Sequence, residues 1–140
     1  MTSLNPNEIL TENDLKHTKQ RVRVLEGIST ESTAVSQPAL EKKLGKDIDR
    51  VTLYRILNLF EEKGIVHRII DLNGTANYAL CPPACTPAHH HDEHVHFQCE
   101  LCQKVYCLPV KLPKVKFPAG FKIESLNTIA YGICDKCNTP

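Results

Sequence analysis

The sequence predicts an α+β protein in two lobes: helices closed by a β-hairpin, then a small β-rich or α/β lobe organised on metal. Three observations predict it. Residues 1–80 carry helical apolar periodicity and no cysteine, whereas residues 81–137 hold all seven cysteines and five of the seven histidines. Asn73-Gly74, between two apolar runs, is a strong hairpin signal. Cys99/Cys102 and Cys134/Cys137 form two Cys-x-x-Cys hooks, whose four thiolates suit a tetrahedral zinc ion. The expected division is residues 1–80, a hinge at 81–93 rich in proline and histidine, and residues 94–140. Pro82, Pro83 and Pro87 forbid a helix in that hinge.

In chain order, Thr11 is the expected N-cap of a first helix, with Asp14 three residues on. Leu15, Val22, Leu25 and Ile28 carry its apolar stripe, and Thr18 is a point of restart or bend. Ser36 to Leu44 reads as a second helix, with Pro38 tolerated in its first turn and Gly45 ending it. Asp49 caps a third helix, Arg50 to Lys63, buried through Leu53, Ile56, Leu57 and Phe60 and stopped by Gly64. Ile65 to Ile70 and Thr75 to Leu80 are the hairpin strands. Val95 to Gln98, Lys104 to Leu108 and Phe121 to Ala130 are the expected strands of the second lobe. Pro109, Pro113 and Pro118 keep residues 109–119 extended. Three short strands leave exposed edges and little core, which pairing with a second copy would cover.

Helix, turn, helix, hairpin is the winged helix-turn-helix order, in which the third helix enters the DNA major groove. Its exposed face offers Arg50, Thr52, Tyr54, Arg55 and Asn58, types that contact guanine, phosphate or a thymine methyl. Pattern alone slightly favours an ordinary solvated polar face. Residues 11–70 carry 11 Lys+Arg against 9 Asp+Glu, and the chain's net charge is only +1, a weak footprint for nucleic acid.

The hooks are the strongest chemical signal. With all four positions filled by cysteine, no coordination site stays open for water, which argues for a structural ion. A redox dithiol would need a βαβ setting that is absent. His94 and His96, two apart in a strand, share a face and can reach one ion. His89 to His91 read equally as a His-rich linker that collects metal nonspecifically. Cys81 and Cys107 can be inert thiols, the common fate of a lone cysteine. His91-Asp92-Glu93 resembles the His-x-Glu of zinc deaminases, but Cys99 follows Gln98 rather than proline and lies too near. No Gly-rich phosphate loop, Ser elbow or His-Glu-x-x-His occurs, so no enzyme and no small-molecule substrate is expected. No apolar run approaches the ~20 residues of a membrane helix. Met1 to Leu10 lacks the features of a signal peptide, so reduced thiols in a cytoplasmic setting are expected.

From Leu15 to Cys137 the chain resembles the ferric uptake regulator family. The resemblance rests on Thr18-Lys19-Gln20-Arg21, Val51-Thr52-Leu53-Tyr54-Arg55-Ile56-Leu57, Glu62-Lys63-Gly64-Ile65-Val66, the His-rich run into Cys99-x-x-Cys102, and Tyr131-Gly132-Ile133-Cys134-x-x-Cys137. It implies a metal-responsive, homodimeric repressor of double-stranded, palindromic DNA. It also implies that Tyr54 and Arg55 contact DNA and Arg21 a phosphate. Iron-sensing members use His and acidic ligands where this chain has Ala34, Ala79, His94, His96 and Cys107. A further family metal site is replaced by Glu93, Val95 and Leu126. The zinc-sensing branch is more similar, and implies a regulatory set of His67, Cys81, His94 and/or His96, and Cys107. Cys and His donors suit Zn²⁺, with Fe²⁺ or Mn²⁺ the alternative sensed ions. The rival readings are an iron or peroxide sensor on the same fold, or a zinc-ribbon interaction module that does not bind DNA. Gln103 stands where the family has glycine, and the prolines of 109–118 replace a helix, so a differently built dimer lobe is expected.

Overall fold

The computed structural model describes residues 5–29, 33–80, 94–111, 115–124, 126 and 128–138, with backbone alone for 94, 109 and 111. Its elements run α1 (Pro6–Glu12), α2 (Lys19–Ser29), β1 (Val35–Ser36), α3 (Gln37–Leu44), α4 (Arg50–Glu62), β2 (Val66–Ile70), β3 (Ala76–Leu80), β4 (His94–Cys99), β5 (Val105–Lys111) and β6 (Ile129–Gly132). The fold is α+β, as the sequence predicts.

The start of the chain differs from expectation. Asn5, not Thr11, caps the first helix, its side chain accepting the Asn7 N–H. Thr11 lies inside α1, where its hydroxyl donates to the Asn7 carbonyl four residues back. The Leu15 N–H closes onto the Leu10 carbonyl, and Asp14 turns the chain at φ 55°. The helix restarts at Lys19, where the sequence marks Thr18 as a point of restart: the Thr18 hydroxyl accepts the Arg21 N–H at 3.2 Å. The break lets Leu10 from α1 and Leu25 from α2 reach the same core.

The next two helices follow their caps. Ser36 accepts from the Ala39 N–H at 3.2 Å, and Asp49 from the Thr52 N–H at 3.2 Å. Hydrogen bonds from Thr52, its side-chain hydroxyl first and its backbone N–H next, hold the Asp49 carboxyl below its ordinary value. Helix α4 ends in a Schellman arrangement: Ile65 N–H to the Phe60 carbonyl, Gly64 N–H to the Glu61 carbonyl, and Gly64 at φ 73°. Its stripe Leu53, Ile56, Leu57 and Phe60 is buried with Leu10, Val24, Leu25, Ile28, Leu40 and Tyr78.

Strands β2 and β3 pair antiparallel, Val66 opposite Leu80 through Ile70 opposite Ala76. Asp71 shapes the connecting turn: its carboxylate accepts from the Asn73 and Thr75 N–H groups, and Gly74 takes φ 78°. The two-residue β1 adds to β3, giving the order β1-β3-β2. Nothing in its local sequence announces it.

The second sheet has the order β5-β4-β6, with β4–β5 antiparallel and β4–β6 parallel. Strand β5 runs past the expected Leu108 to Lys111, because the register shifts between His94 and Val95. Pro109 and Val110 fall in that irregularity, where a missing N–H interrupts no ladder bond. The long strand expected from Phe121 to Ala130 is a correction. Residues 121–123 form no ladder, and the strand is only Ile129–Gly132. The two sheets meet at Ala34, whose N–H donates to the Val105 carbonyl at 2.8 Å.

Candidate metal centre and nucleic-acid face

The two hooks sit at strand ends, and the sheet brings them together. Cys99 closes β4, and Cys102 follows one turn later. Cys134 and Cys137 follow β6, which lies beside β4 with Cys99 opposite Gly132. This neighbour is close: a Cβ on Gly132 would lie 3.3 Å from the Phe97 ring. The Gly132 carbonyl accepts the Glu100 N–H at 2.7 Å, which locks the hooks edge to edge. Cys99 and Cys134 are buried, and Cys102 and Cys137 are half-buried.

The four Sγ atoms lie within 4.8 Å of one another, and Cys102 and Cys134 approach to 3.9 Å. Four sulfurs at the usual Zn–S distance of ~2.3 Å on a tetrahedron are about 3.8 Å apart. The donors therefore fit a zinc ion in number, type and spacing. Among the described residues no other group of three or more candidate ligands meets this condition.

The electrostatics carry the same information. The Cys99 thiol is lowered to about 6 by backbone N–H donors, Cys102 first and Cys134 next. Those contacts measure 3.5 and 3.4 Å. Cys134 is lowered by the Tyr106 hydroxyl, which donates to its sulfur. Cys137 is pushed up to about 12, mainly by its contact with Cys134. Four crowded thiols cannot all ionise side by side, and a divalent cation among them removes that conflict. Tyr106 was not anticipated as part of the site. Its strand was visible in the sequence, but not the pairing that sets it against Cys134.

A second cluster lies where the lobes meet. His67, on β2, is 3% exposed and His96, on β4, is 7% exposed. Their ring centroids are 6.1 Å apart at an interplanar angle of 62°. The Cys107 Sγ, across the ladder on β5, is 3.5 Å from His96 Nδ1. Two imidazoles bound to one tetrahedral zinc place their centroids about 5 Å apart. The observed spacing is near that value, and the donors are nitrogen and sulfur. Cys81 lies outside the described residues, as do Cys85, His89 to His91 and the hinge. Of His94 only the backbone, opening β4, is described.

Of the expected DNA-facing residues, Tyr54 is 45% exposed, and Arg50, Arg55 and Asn58 are exposed beside it on α4. Thr52 is half-buried at the cap. Arg50 is held by Glu41 of α3, Nε to Oε1 at 3.2 Å. Arg21 is half-buried on α2, and its Nη1 donates to the Lys16 carbonyl at 3.1 Å. No helix among the described residues is long and apolar enough to cross a membrane.

The model of the ferric uptake regulator family matches residues 12–127. The ferric uptake regulation protein of Staphylococcus epidermidis is 31% identical over 137 residues, covering 93% of this chain and 91% of its own. The solved structure of the Vibrio cholerae ferric uptake regulator is 27% identical, with a TM-score of 0.60, covering 91% of this chain and 98% of its own. A zinc uptake regulator complexed with zinc and DNA has a TM-score of 0.66 at 21% identity, over 94% of this chain and 89% of its own. At that identity the likeness is one of fold. With a family model spanning both lobes and a relative above 30% identity over nearly the whole chain, this protein belongs to the ferric uptake regulator family of metal-responsive regulators.

Proposed function

We propose that this chain is a zinc-sensing, homodimeric repressor that binds a palindromic operator and controls metal-uptake genes. The observation that carries the reading is the buried pair His67 and His96, one from each sheet, with Cys107 against His96. These donors, joined by Cys81 and His94, make a Cys/His set without a carboxylate among its members. Such a set suits Zn²⁺ over Fe²⁺ or Mn²⁺, which favour oxygen ligands. A bound Zn²⁺ supplies a fixed point shared by both lobes.

The residues do the rest. His67 belongs to the wing strand β2, which follows α4 directly, and His96 to the central strand of the second sheet. Holding both at one point restricts the angle between the lobes. In the dimer, that angle sets the spacing of the two α4 helices and so their fit to adjacent half-sites. Arg50, Thr52, Tyr54 and Arg55 of α4 make the groove contacts, and Arg21 meets a phosphate. Cys99, Cys102, Cys134 and Cys137 hold a separate structural zinc that keeps the dimer lobe folded.

Cys81→Ser tests the reading. We expect it to lose zinc-dependent DNA binding while it stays dimeric and keeps the four-cysteine zinc. Zinc-dependent binding undiminished in that variant would remove Cys81 from the sensor. Activation by Fe²⁺ alone, with Zn²⁺ ineffective, would favour iron sensing instead; the Staphylococcus epidermidis relative is named a ferric uptake regulation protein.

A further inference from the structure

Gln98 is 2% exposed, yet neither half of its amide is used within its own strand pairing. Its Oε1 accepts the backbone N–H of Leu72 at 3.0 Å, 26 residues away in the turn between β2 and β3. Its Nε2 donates to the Gln103 Oε1 at 3.4 Å, and the Gln103 Nε2 donates to the Glu100 carbonyl at 2.8 Å. Every oxygen in this series receives and every nitrogen donates, so a backbone N–H at the wing fixes the orientation of both amides. The series ends inside the Cys99–Cys102 turn, where the Gln103 N–H itself closes onto the Cys99 carbonyl.

Gln103 stands at φ 64°, in the left-handed region that favours glycine. Glycine would adopt that backbone without strain but could not reach either Gln98 or Glu100. A strained position occupied by a long amide is accounted for when the side chain has a task. The Leu72 side chain, 60% exposed, does nothing to bury its own turn. Asp71 shapes the turn from within, and the amide from Gln98 ties it to the second sheet.

We propose that Gln98 and Gln103 form a relay that tethers the wing turn to the four-cysteine hook, a contact separate from the one a metal between the lobes would make. Both are positioning residues. The relay stands whether or not His67 and His96 bind zinc.

Amide hydrogen exchange in the full-length, zinc-loaded protein tests it, with Leu72 as the reporter and α4 as the internal control. Gln98→Met keeps the length of the side chain but neither polar group. We expect Leu72 to exchange roughly tenfold faster, the loss of about one net hydrogen bond, while α4 amides and the zinc content per chain stay unchanged. Gln103→Gly relieves the backbone, so its thermal midpoint rises, yet Leu72 exchange still quickens severalfold because Gln98 loses its anchor. Wild-type Leu72 exchange in Gln98→Met overturns the proposal. So does wild-type exchange in Gln103→Gly, since Gln98 would then act without the hook. Equal acceleration at Leu72 and α4 also overturns it, as general loosening. Should Gln98→Met fail to fold, Gln103→Gly decides alone.

Discussion

Helix α4 has a buried and an exposed face, to which the proposed function gives different tasks, and a pair of substitutions separates them. Leu57 is fully buried, within the cluster formed by Leu53, Ile56 and Phe60 and the residues of α2 and α3. Truncating it to alanine removes three carbon atoms' worth of contact from a site with no solvent to fill the space. Measured Leu→Ala changes of this kind run from about 2.7 to 5.0 kcal/mol, the higher values where the surroundings cannot collapse. Leu57 sits mid-helix between capped ends, with Asp49 and Gly64 fixing the helix, so little collapse is available. We expect Leu57→Ala to lose about 3 to 4 kcal/mol in urea unfolding with an unchanged m-value. Arg55, exposed on the opposite face, should behave inversely. Arg55→Ala should stay within ~0.5 kcal/mol of wild-type stability and lose about 1–3 kcal/mol of DNA affinity, or five- to 150-fold. Urea titration and retention of a duplex selected from a random pool with the zinc-loaded protein read the two effects. If Leu57→Ala costs below ~1 kcal/mol, or Arg55→Ala unfolds the protein while sparing DNA binding, the assignment of the two faces is refuted.

Other expectations follow from the same geometry. Cys102→Ser should lower the zinc content by one ion per chain and shift the dimer toward monomer in sedimentation; a variant keeping that zinc would show that the hook does not need all four sulfurs. Ser36→Ala should destabilise by about 1 kcal/mol, read as a fall in thermal midpoint, because the Ala39 N–H loses its partner. The Asp49 carboxyl is held below its ordinary value of 3.8, so its stabilising effect is full above that pH and disappears as pH falls through the lower folded value. Wild type should therefore hold a constant stability advantage over Asp49→Asn above about pH 4 and lose it as the pH falls further; an advantage unchanged into acid contradicts the charged cap. Gly132→Leu should disrupt the second sheet, since even a Cβ there meets the Phe97 ring, and far-UV circular dichroism with zinc content reports it.

What the sequence made legible was local. The caps Ser36 and Asp49, the Asn73-Gly74 turn and the Cys-x-x-Cys spacing each encode their structure within a few residues, and α3, α4 and the hairpin stand where those signals put them. Thr11 misled because a hydroxyl can cap a helix or bond back to the preceding turn, and Asn5 was the better cap. Strand β1 exists because β3 is there to pair with it. Phe121 lies in a β-favouring run but has no ladder partner, and propensity without pairing makes no strand. The metal hooks were readable as chemistry, whereas the Tyr106 bond to Cys134 and the Gln98 bond to Leu72 depend on register and on lobe contact. Alternation in β4 puts residues 96 and 98 on one face. The His96 ring meets His67 there, and the Gln98 amide meets the wing turn.

The most direct test of the account is zinc per chain and DNA retention, measured on the same preparation before and after mild chelation. Two classes of site, one of four thiolates and one of mixed Cys and His donors, predict two zinc ions per chain at the outset. Mild chelation should remove one, abolish retention of the selected duplex and leave the dimer intact, and added Zn²⁺ should restore binding. Undiminished DNA retention after loss of that second zinc, or recovery with Fe²⁺ but not Zn²⁺, would contradict zinc sensing through the contact between the lobes.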